Sequence, residues 1–121
     1  MNEHQKRIVI ETQQWLFQSF PKCFRDDHAL PLQVGILQDI FKAIPENSSI
    51  SRIQVRRALK FYTNHPLYQK ALAKREERFD LNGEAIGNIS SEHKEVAEKA
   101  IALRRLKSFA RRAKMGPKKI G

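Results

Sequence analysis

The chain has 121 residues, of which 40% are hydrophobic, so it has the length of one domain with one modest core. No apolar run approaches the roughly 20 residues that cross a bilayer, and we expect no secretory leader. The single cysteine, Cys23, excludes an internal disulfide and fits a reducing compartment. Lysine and arginine number 23 against 13 aspartates and glutamates, and this net charge of +10 favours a polyanionic partner over a surface that is basic only for solubility.

Three helices are predicted in the first half of the chain. Apolar residues recur at helical spacing over residues 4–19, and Pro21 ends that pattern. Residues 21–31 are bracketed by prolines and read as a loop. A strongly amphipathic stripe predicts the second helix over residues 32–44. The third helix begins near Ser51, which has capping-box spacing to Gln54. Its inner face is formed by Val55, Ala58, Leu59 and Tyr62.

The second half of the chain predicts two more helices and one hairpin. Asn64-His65-Pro66 ends the third helix and starts a fourth, because proline is tolerated in a first turn. Residues 78–81 and 84–89 flank Asn82-Gly83, which predicts a two-stranded hairpin packed on the helices. The predicted fold is therefore mainly α, in the α+β class, with about five helices and a small two-stranded β-hairpin.

The last helix is predicted over residues 92–114, with Ser90 and Ser91 at its cap. Apolar residues at helical spacing are expected to dock this helix until about residue 110; they are Val96, Ala100, Leu103, Leu106, Phe109 and Ala110. From Lys99 to the end there are nine lysines and arginines and no acidic residue. We therefore predict a domain over residues 1–110 and a basic disordered tail over 111–121, in which Arg111 and Arg112 add phosphate attraction.

The third helix carries a row of positive charge. Arg52, Arg56 and Lys60 are spaced four residues apart, so they lie along one face, and Arg57 flanks them. Like charges at this spacing repel, and a polyanion would relieve the repulsion. The alternative is an ordinary solvated face. Because the whole chain is basic, we interpret the row as a phosphate-binding surface.

A second candidate group surrounds the start of the hairpin. Tyr68, Arg75 and Arg78 are residue types that stack on exposed bases or hold phosphates. Tyr68 could equally be a core residue with its hydroxyl at the rim.

Catalytic and metal-binding patterns are missing from the sequence. The four histidines and Cys23 show neither HExxH nor CxxC spacing. The adjacent pairs Asp26-Asp27 and Glu76-Glu77 diverge on a helix or strand, so they make poor acid/base dyads. No glycine-rich phosphate loop is present. We therefore expect no enzyme, no metal, no cofactor and no small-molecule substrate, and we expect Cys23 to be a buried structural thiol.

Four stretches of the sequence carry a family resemblance. In chain order these are FPKCF, PLQVGILQDIF, ISRIQVRRALKFYTNHPLYQKAL and RFDLNGEAIG. In these stretches the sequence resembles the ProQ/FinO family of bacterial RNA chaperones. The resemblance spans roughly residues 10–105. It implies an α-rich fold with a small β-element that binds small RNAs and messenger 3′ ends. The target it implies is a terminator hairpin with a single-stranded 3′ uridine tail. We expect a cytoplasmic monomer that acts in post-transcriptional regulation.

The resemblance also implies roles for individual residues. The family's binding face corresponds to Arg52, Arg56 and Lys60, to Tyr68, and to Arg78. Tyr62 and Thr63 match a Tyr-Thr pair at the helix end, so Thr63 joins the candidate RNA-binding residues. Two departures from the family pattern are Gln33, where some relatives have lysine, and AKREER, where a glycine-containing loop is common. The second departure favours a longer fourth helix.

Three other partners compete with RNA. In a helix-turn-helix protein the third helix would read DNA, but Pro45 and the ENSS turn break the usual short spacing. A scaffold that binds an acidic protein is the second. A membrane surface is the third, and we do not expect it because the basic end lacks an aromatic-rich apolar face.

Overall fold

Five helices and one hairpin make up the part of the chain that the computed structural model describes, residues 2–25 and 29–115. In chain order they are α1 (Glu3–Ser19), α2 (Ile36–Ala43), α3 (Arg52–Asn64), α4 (Pro66–Lys74), β1 (Glu77–Phe79), β2 (Ala85–Asn88) and α5 (Ser91–Met115). This architecture confirms the predicted mainly α fold with a two-stranded hairpin.

The starts of α3 and α4 follow from local hydrogen bonding, as the sequence predicts. The Ser51 hydroxyl accepts a bond from the Gln54 amide at 3.2 Å, and the Gln54 side chain accepts one from the Ser51 amide at 2.8 Å. At α4, Pro66 occupies the first helical position and the His65 ring accepts a bond from the Leu67 amide at 3.1 Å. Each cap satisfies backbone amides that have no partner inside the helix.

The predicted start of α2 is wrong. Helix α2 begins at Ile36, after Gly35 with a positive φ of 83°, and the residues before it are extended. Phe79 and this segment exchange two backbone bonds: the Gln33 amide donates to the Phe79 carbonyl at 2.9 Å, and the Phe79 amide donates to the Pro31 carbonyl at 2.8 Å. Leu32 is buried in either conformation, so its apolar character could not distinguish a helix from a strand.

The hairpin is confirmed, with β1 antiparallel to β2 and Arg78 opposite Gly87. Its turn is longer than a two-residue Asn-Gly turn, because the Asp80 carboxylate accepts bonds from the amides of Asn82 and Glu84 at 2.9 and 3.0 Å. The prediction of a longer fourth helix is also wrong, because α4 ends at Lys74. The Glu76 carbonyl instead accepts a hydrogen bond from the Ile89 amide at 2.8 Å, so the residues after Lys74 belong to the hairpin and not to α4.

Gly83 is expected to be irreplaceable in the hairpin turn. Its φ is 77°, and a Cβ added there would lie 2.7 Å from the Lys22 carbonyl oxygen. We expect Gly83→Ala to lower the free energy of unfolding by about 1–3 kcal/mol, because both the left-handed backbone and the close approach resist a side chain. Urea denaturation followed by circular dichroism measures this loss. Gly87→Ala is the matched control, because no atom lies within 4 Å of its added Cβ; equal losses in the two variants would refute the explanation.

The core lies between α1, α2 and α3 and is closed by the loop that follows α1. Leu16, Phe24, Ile40 and Val55 are among its fully buried side chains. Cys23 is also buried, as predicted, and its burial together with the nearby Asp80 carboxylate raises the pKa of its thiol to about 12. A thiol with this pKa stays protonated and has a structural role.

Helix α5 packs against α4 with a different face from the predicted one. Ala97 is fully buried, and the Arg104 guanidinium donates to the Asn64 carbonyl at 2.7 Å. The predicted inner face is wrong: its large apolar side chains are 53–67% exposed, namely those of Val96, Leu103, Leu106 and Phe109. These four large apolar side chains therefore do not form the contact with α4.

Helix α5 ends at Met115, which confirms the helix predicted to about residue 114, so residues 111–115 of the predicted tail are helical. The domain boundary at residue 110 stays a prediction. The rest of the predicted tail, residues 116–121, lies outside the described residues. No helix of the described residues is both long and apolar enough to cross a membrane.

Candidate nucleic-acid interface

Helix α3 presents its basic side chains to solvent. Its row Arg52, Arg56 and Lys60 is exposed, whereas Val55 and Ala58 are fully buried on the core side. The ring of Phe41 on α2 supports the two arginines, whose Cζ atoms lie 5.1 Å (Arg52) and 6.0 Å (Arg56) from its centroid. A guanidinium over a ring keeps its N–H edges free, and the contact reduces the entropy lost when it binds a phosphate.

No carboxylate of the described residues forms a salt bridge with these cations. Over residues 2–25 and 29–115, the structure contains one salt bridge between side chains, Lys94 with Glu76 at 2.9 Å. The cations of α3 are therefore available to an external anion.

The basic surface continues around α3 towards α1. An open groove of about 550 Å³ is lined by Gln5, Arg57, Lys60, Phe61 and Asn64. Lys60 belongs to both the exposed row and this groove, so the groove joins Arg57 to the rest of the α3 cations. The four predicted phosphate-binding residues of α3 thus form one continuous surface, which we call the α3 surface: Arg52, Arg56, Arg57 and Lys60.

Tyr68 is a core residue, which is the alternative that the sequence left open. Its side chain is 5% exposed, and its hydroxyl accepts a bond from the Leu32 amide at 3.1 Å. Burial raises the pKa of Tyr68, although hydrogen bonding and the nearby charge of Arg78 oppose the rise. A ring buried in this way cannot stack on a base, so any RNA contact by Tyr68 is restricted to its hydroxyl edge.

Arg78 is anchored beside Tyr68 by two hydrogen bonds. One guanidinium nitrogen donates to the Leu32 carbonyl at 2.7 Å, and another lies 2.8 Å from the His93 ring nitrogen Nδ1. The side chain is half-buried. Arg78 therefore ties the hairpin to the extended segment and to the first turn of α5, and an RNA-binding role for it remains a prediction.

The other predicted residues are dispersed. Thr63 is half-buried and donates its hydroxyl to the Lys60 carbonyl at 3.2 Å, so it lies at the end of the α3 surface. Arg75 is exposed just after α4, and Arg111 and Arg112 are exposed near the end of α5. The structure does not bring these three arginines into the α3 surface.

Sequence reasoning missed a pocket of aromatic and basic residues. It has a volume of about 180 Å³, and its lining residues are Gln13, Phe17, Arg25, Ala29, Phe61, Tyr62, His65, Leu67 and Tyr68. Phe61 is 48% exposed and also lines the groove of the α3 surface, so the pocket opens beside that surface. The pocket is formed by residues from three separate stretches of the chain, 13–17, 25–29 and 61–68, so no local sequence pattern predicts it.

The Tyr62 hydroxyl gives this pocket a free polar group. It is buried and has no hydrogen-bond partner among the described residues, although backbone groups of Arg25 and Leu30 lie near it. Burial raises the pKa of Tyr62 to about 12, so the hydroxyl stays protonated. An unpaired buried hydroxyl is energetically costly.

No group of three or more histidine, cysteine, aspartate or glutamate side chains in the described part of the chain could hold a metal ion.

Comparisons with known proteins agree with one another. The model of the ProQ/FINO family matches residues 6–114. An RNA chaperone ProQ from Shewanella baltica is 32% identical over 105 residues, which are 86% of this chain and 50% of that protein. An RNA chaperone ProQ from Histophilus somni is 36% identical over 100 residues, which are 82% and 47%. The chain thus spans about half the length of these relatives.

Two solved structures have the same fold. A ProQ homologue from Legionella pneumophila, determined by NMR, aligns with a TM-score of 0.65 at 24% identity and covers 80% of this chain and 83% of its own. The crystal structure of a FinO-like RNA chaperone from Neisseria meningitidis aligns with a TM-score of 0.65 at 25% identity and covers 85% and 82%.

Proposed function

This chain belongs to the ProQ/FinO family, and from that premise we propose that it is a cytoplasmic, RNA-binding chaperone domain. Its proposed targets are structured RNAs, in particular terminator hairpins with a single-stranded 3′ tail, such as those of small RNAs and messenger 3′ ends. The named relatives are RNA chaperones and not enzymes. The observation that carries the proposal is the α3 surface, whose cations lack carboxylate partners in the described structure, next to an aromatic pocket.

The α3 surface suits the backbone of an RNA stem. Arg52 and Lys60 are eight residues apart, so the row is about 12 Å long and can span several phosphates. An A-form stem hides its base edges in a deep, narrow groove, so a protein recognises it through phosphates and 2′-hydroxyls. Binding through this surface is therefore expected to be insensitive to the stem sequence.

The aromatic pocket suits an unpaired nucleotide at the 3′ end. Phe61 offers a partly exposed ring for a base to stack on, and the Tyr62 hydroxyl offers an unpaired polar group. Arg25 and His65 line the same pocket and can hold the terminal phosphate or ribose. Because Phe61 borders both the pocket and the α3 groove, a strand that leaves a stem bound on α3 reaches the pocket directly.

Four RNAs test whether the 3′ end is recognised: a hairpin with a free uridine tail, the same hairpin without the tail, one with the tail extended by unrelated sequence, and one with the stem scrambled but still paired. In filter binding at one salt concentration, we expect the first and fourth to bind tightly and the second and third to bind clearly more weakly. Equal affinity for tailed and tailless hairpins would refute recognition of the 3′ end and leave a general RNA-binding surface.

DNA binding by a helix-turn-helix is less consistent with the structure. Helix α2 ends at Ala43 and α3 begins at Arg52, whereas the motif joins its two helices by a turn of about three or four residues. A competition between one RNA hairpin and a DNA duplex of the same sequence separates the two functions. Preferential displacement by the DNA would favour the helix-turn-helix.

A further inference from the structure

A basic cleft lies between α4 and α5, apart from the α3 surface and the aromatic pocket. Its volume is about 250 Å³, and it lies on the face by which α5 packs against α4. Its lining residues are Pro66 and Lys70 on α4 and Ile101, Arg104, Arg105, Ser108 and Arg112 on α5. From its geometry and charge we infer that this cleft is a second phosphate-binding site for the backbone of the bound RNA. The inference rests on the proposed function and adds residues from two helices to it.

Both walls of the cleft lack negative charge. Helix α4 contains no aspartate or glutamate, and α5 contains none after Glu98. The one salt bridge of the described residues, between Lys94 and Glu76, involves none of the residues that line this cleft. Lys70 therefore faces the arginines of α5 across a concave surface with no bound carboxylate to offset their repulsion. A concave surface of one charge sign focuses the electrostatic field and attracts an anion.

The donors of α5 are arranged for a phosphate. Arg105, Ser108 and Arg112 follow one another at intervals of three and four residues, so they lie on the same side of the helix. Guanidinium groups bind phosphate oxygens with paired N–H donors, and a serine hydroxyl between them adds a second type of donor. Pro66, at the first position of α4, also lines the cleft. The positive end of the α4 dipole therefore adds to the attraction.

The cleft adjoins the α3 surface. Arg104 lines the cleft, and its guanidinium donates to the carbonyl of Asn64 at 2.7 Å. Asn64 is the last residue of α3 and lines the groove that contains Arg57 and Lys60. A phosphate backbone that passes along α3 therefore reaches the α4–α5 cleft at the end of that helix. This continuity favours one RNA lying across both sites over a separate ligand for each.

The test removes the three cations of the cleft that make no hydrogen bond within the described structure. In the variant Lys70→Ala, Arg105→Ala and Arg112→Ala, we expect the slope of log K against log salt for the tailed hairpin to become shallower by about 0.7–0.9 per lost contact. Phosphate ethylation interference locates the effect. At some phosphates, ethylation is expected to block binding of the wild-type protein but not of the cleft variant, because that variant no longer contacts them. The variant that replaces Arg52, Arg56 and Lys60 should become insensitive to ethylation at a different set of phosphates.

A matched control removes equal charge elsewhere. Lys42, Lys74 and Lys99 are exposed and lie outside the cleft, so their replacement by alanine should change the slope much less. Arg105→Lys with Arg112→Lys keeps the charge and should recover most of the slope. Circular dichroism checks that each variant is folded. If the alanine variant is not, Arg105→Gln with Arg112→Gln, which removes the charge but keeps most of each side chain, decides the question by comparison with the lysine variant.

The outcomes separate this inference from the proposed function. If the cleft variant and the matched control change the slope equally, or if the interference pattern is unchanged, the cleft is not a phosphate site while the α3 surface still stands. If the wild-type protein binds the hairpin no better than a neutral control protein, the proposed function itself fails.

Discussion

Replacing Arg52, Arg56 and Lys60 together by alanine is expected to weaken the binding of every RNA hairpin nearly uniformly, whatever its sequence or tail. RNA binding releases fewer counterions when phosphate contacts are lost, so the slope of log K against log salt should become shallower by about 2–3 for the three contacts together. The fold should be little affected, because the three side chains are exposed. Filter binding of tailed and tailless hairpins over a salt series measures the affinity and the slope.

The variant Lys42→Ala, Lys74→Ala and Lys99→Ala is the control here too, since it removes the same charge. If the α3 variant keeps its affinity and slope while circular dichroism shows it folded, the α3 surface does not contact phosphates. A loss confined to tailed hairpins would also contradict the prediction, because phosphate contacts to a stem are independent of the tail.

Tyr68→Ala is expected to have the largest effect on stability. The ring is 5% exposed and packs against Tyr62, with ring centroids 5.8 Å apart. Its removal should cost about 3–5 kcal/mol of the free energy of unfolding, as for other large core residues. Such a loss is a large fraction of the stability of a small domain. Urea denaturation followed by circular dichroism measures it, and a loss within about 0.5 kcal/mol, typical of surface positions, would show that the ring is not part of the core.

Tyr68→Phe separates the structural role from an RNA contact. This variant keeps the ring but leaves the Leu32 amide without its partner, which should cost about 1–3 kcal/mol of stability. If the hydroxyl only holds Leu32, the folded variant should bind RNA as the wild type does. A tenfold or greater loss of affinity in the folded variant would place the hydroxyl in contact with RNA.

The helical part of the fold could be predicted because its signals are local. Ser51 and Gln54 cap α3 through side chains three residues apart, and Pro66 starts α4 from a position that needs no amide donor. The prediction failed where partners are remote. Leu32 is apolar and suits a helix or an extended segment equally, and its extended conformation depends on bonds to remote residues, among them Tyr68 and Arg78.

The face of α5 illustrates the same limit. Val96, Leu103 and Leu106 are the large apolar side chains that a helical pattern places inside, yet Ala97 is the buried residue, and Ile101 and Arg104 line the cleft against α4. Which face docks depends on the shape of α4, and the helix alone does not encode that shape.

The parts of the candidate site that lie within one helix could be predicted from the sequence, whereas the parts assembled from distant segments could not. The cations of α3 share one helix, so their spacing alone places them on one surface. The aromatic pocket joins Phe17, Arg25, Phe61 and His65 from distant parts of the chain. Tyr68 is a residue type that serves equally in a core and at a binding surface, and only its burial decides between the two.

The extended segment before α2 has a consequence for the order of folding. Its bonds to the Tyr68 hydroxyl and to the Arg78 guanidinium span 36 and 46 residues of sequence. Closing such long loops costs entropy before any contact compensates for it, so these bonds form after the local helices. A chain emerging from the ribosome therefore has the cationic helix α3 before Arg78 is fixed in place. Under the proposed function, the α3 surface forms early in folding, whereas the aromatic pocket, which Tyr68 lines, is completed in the later steps.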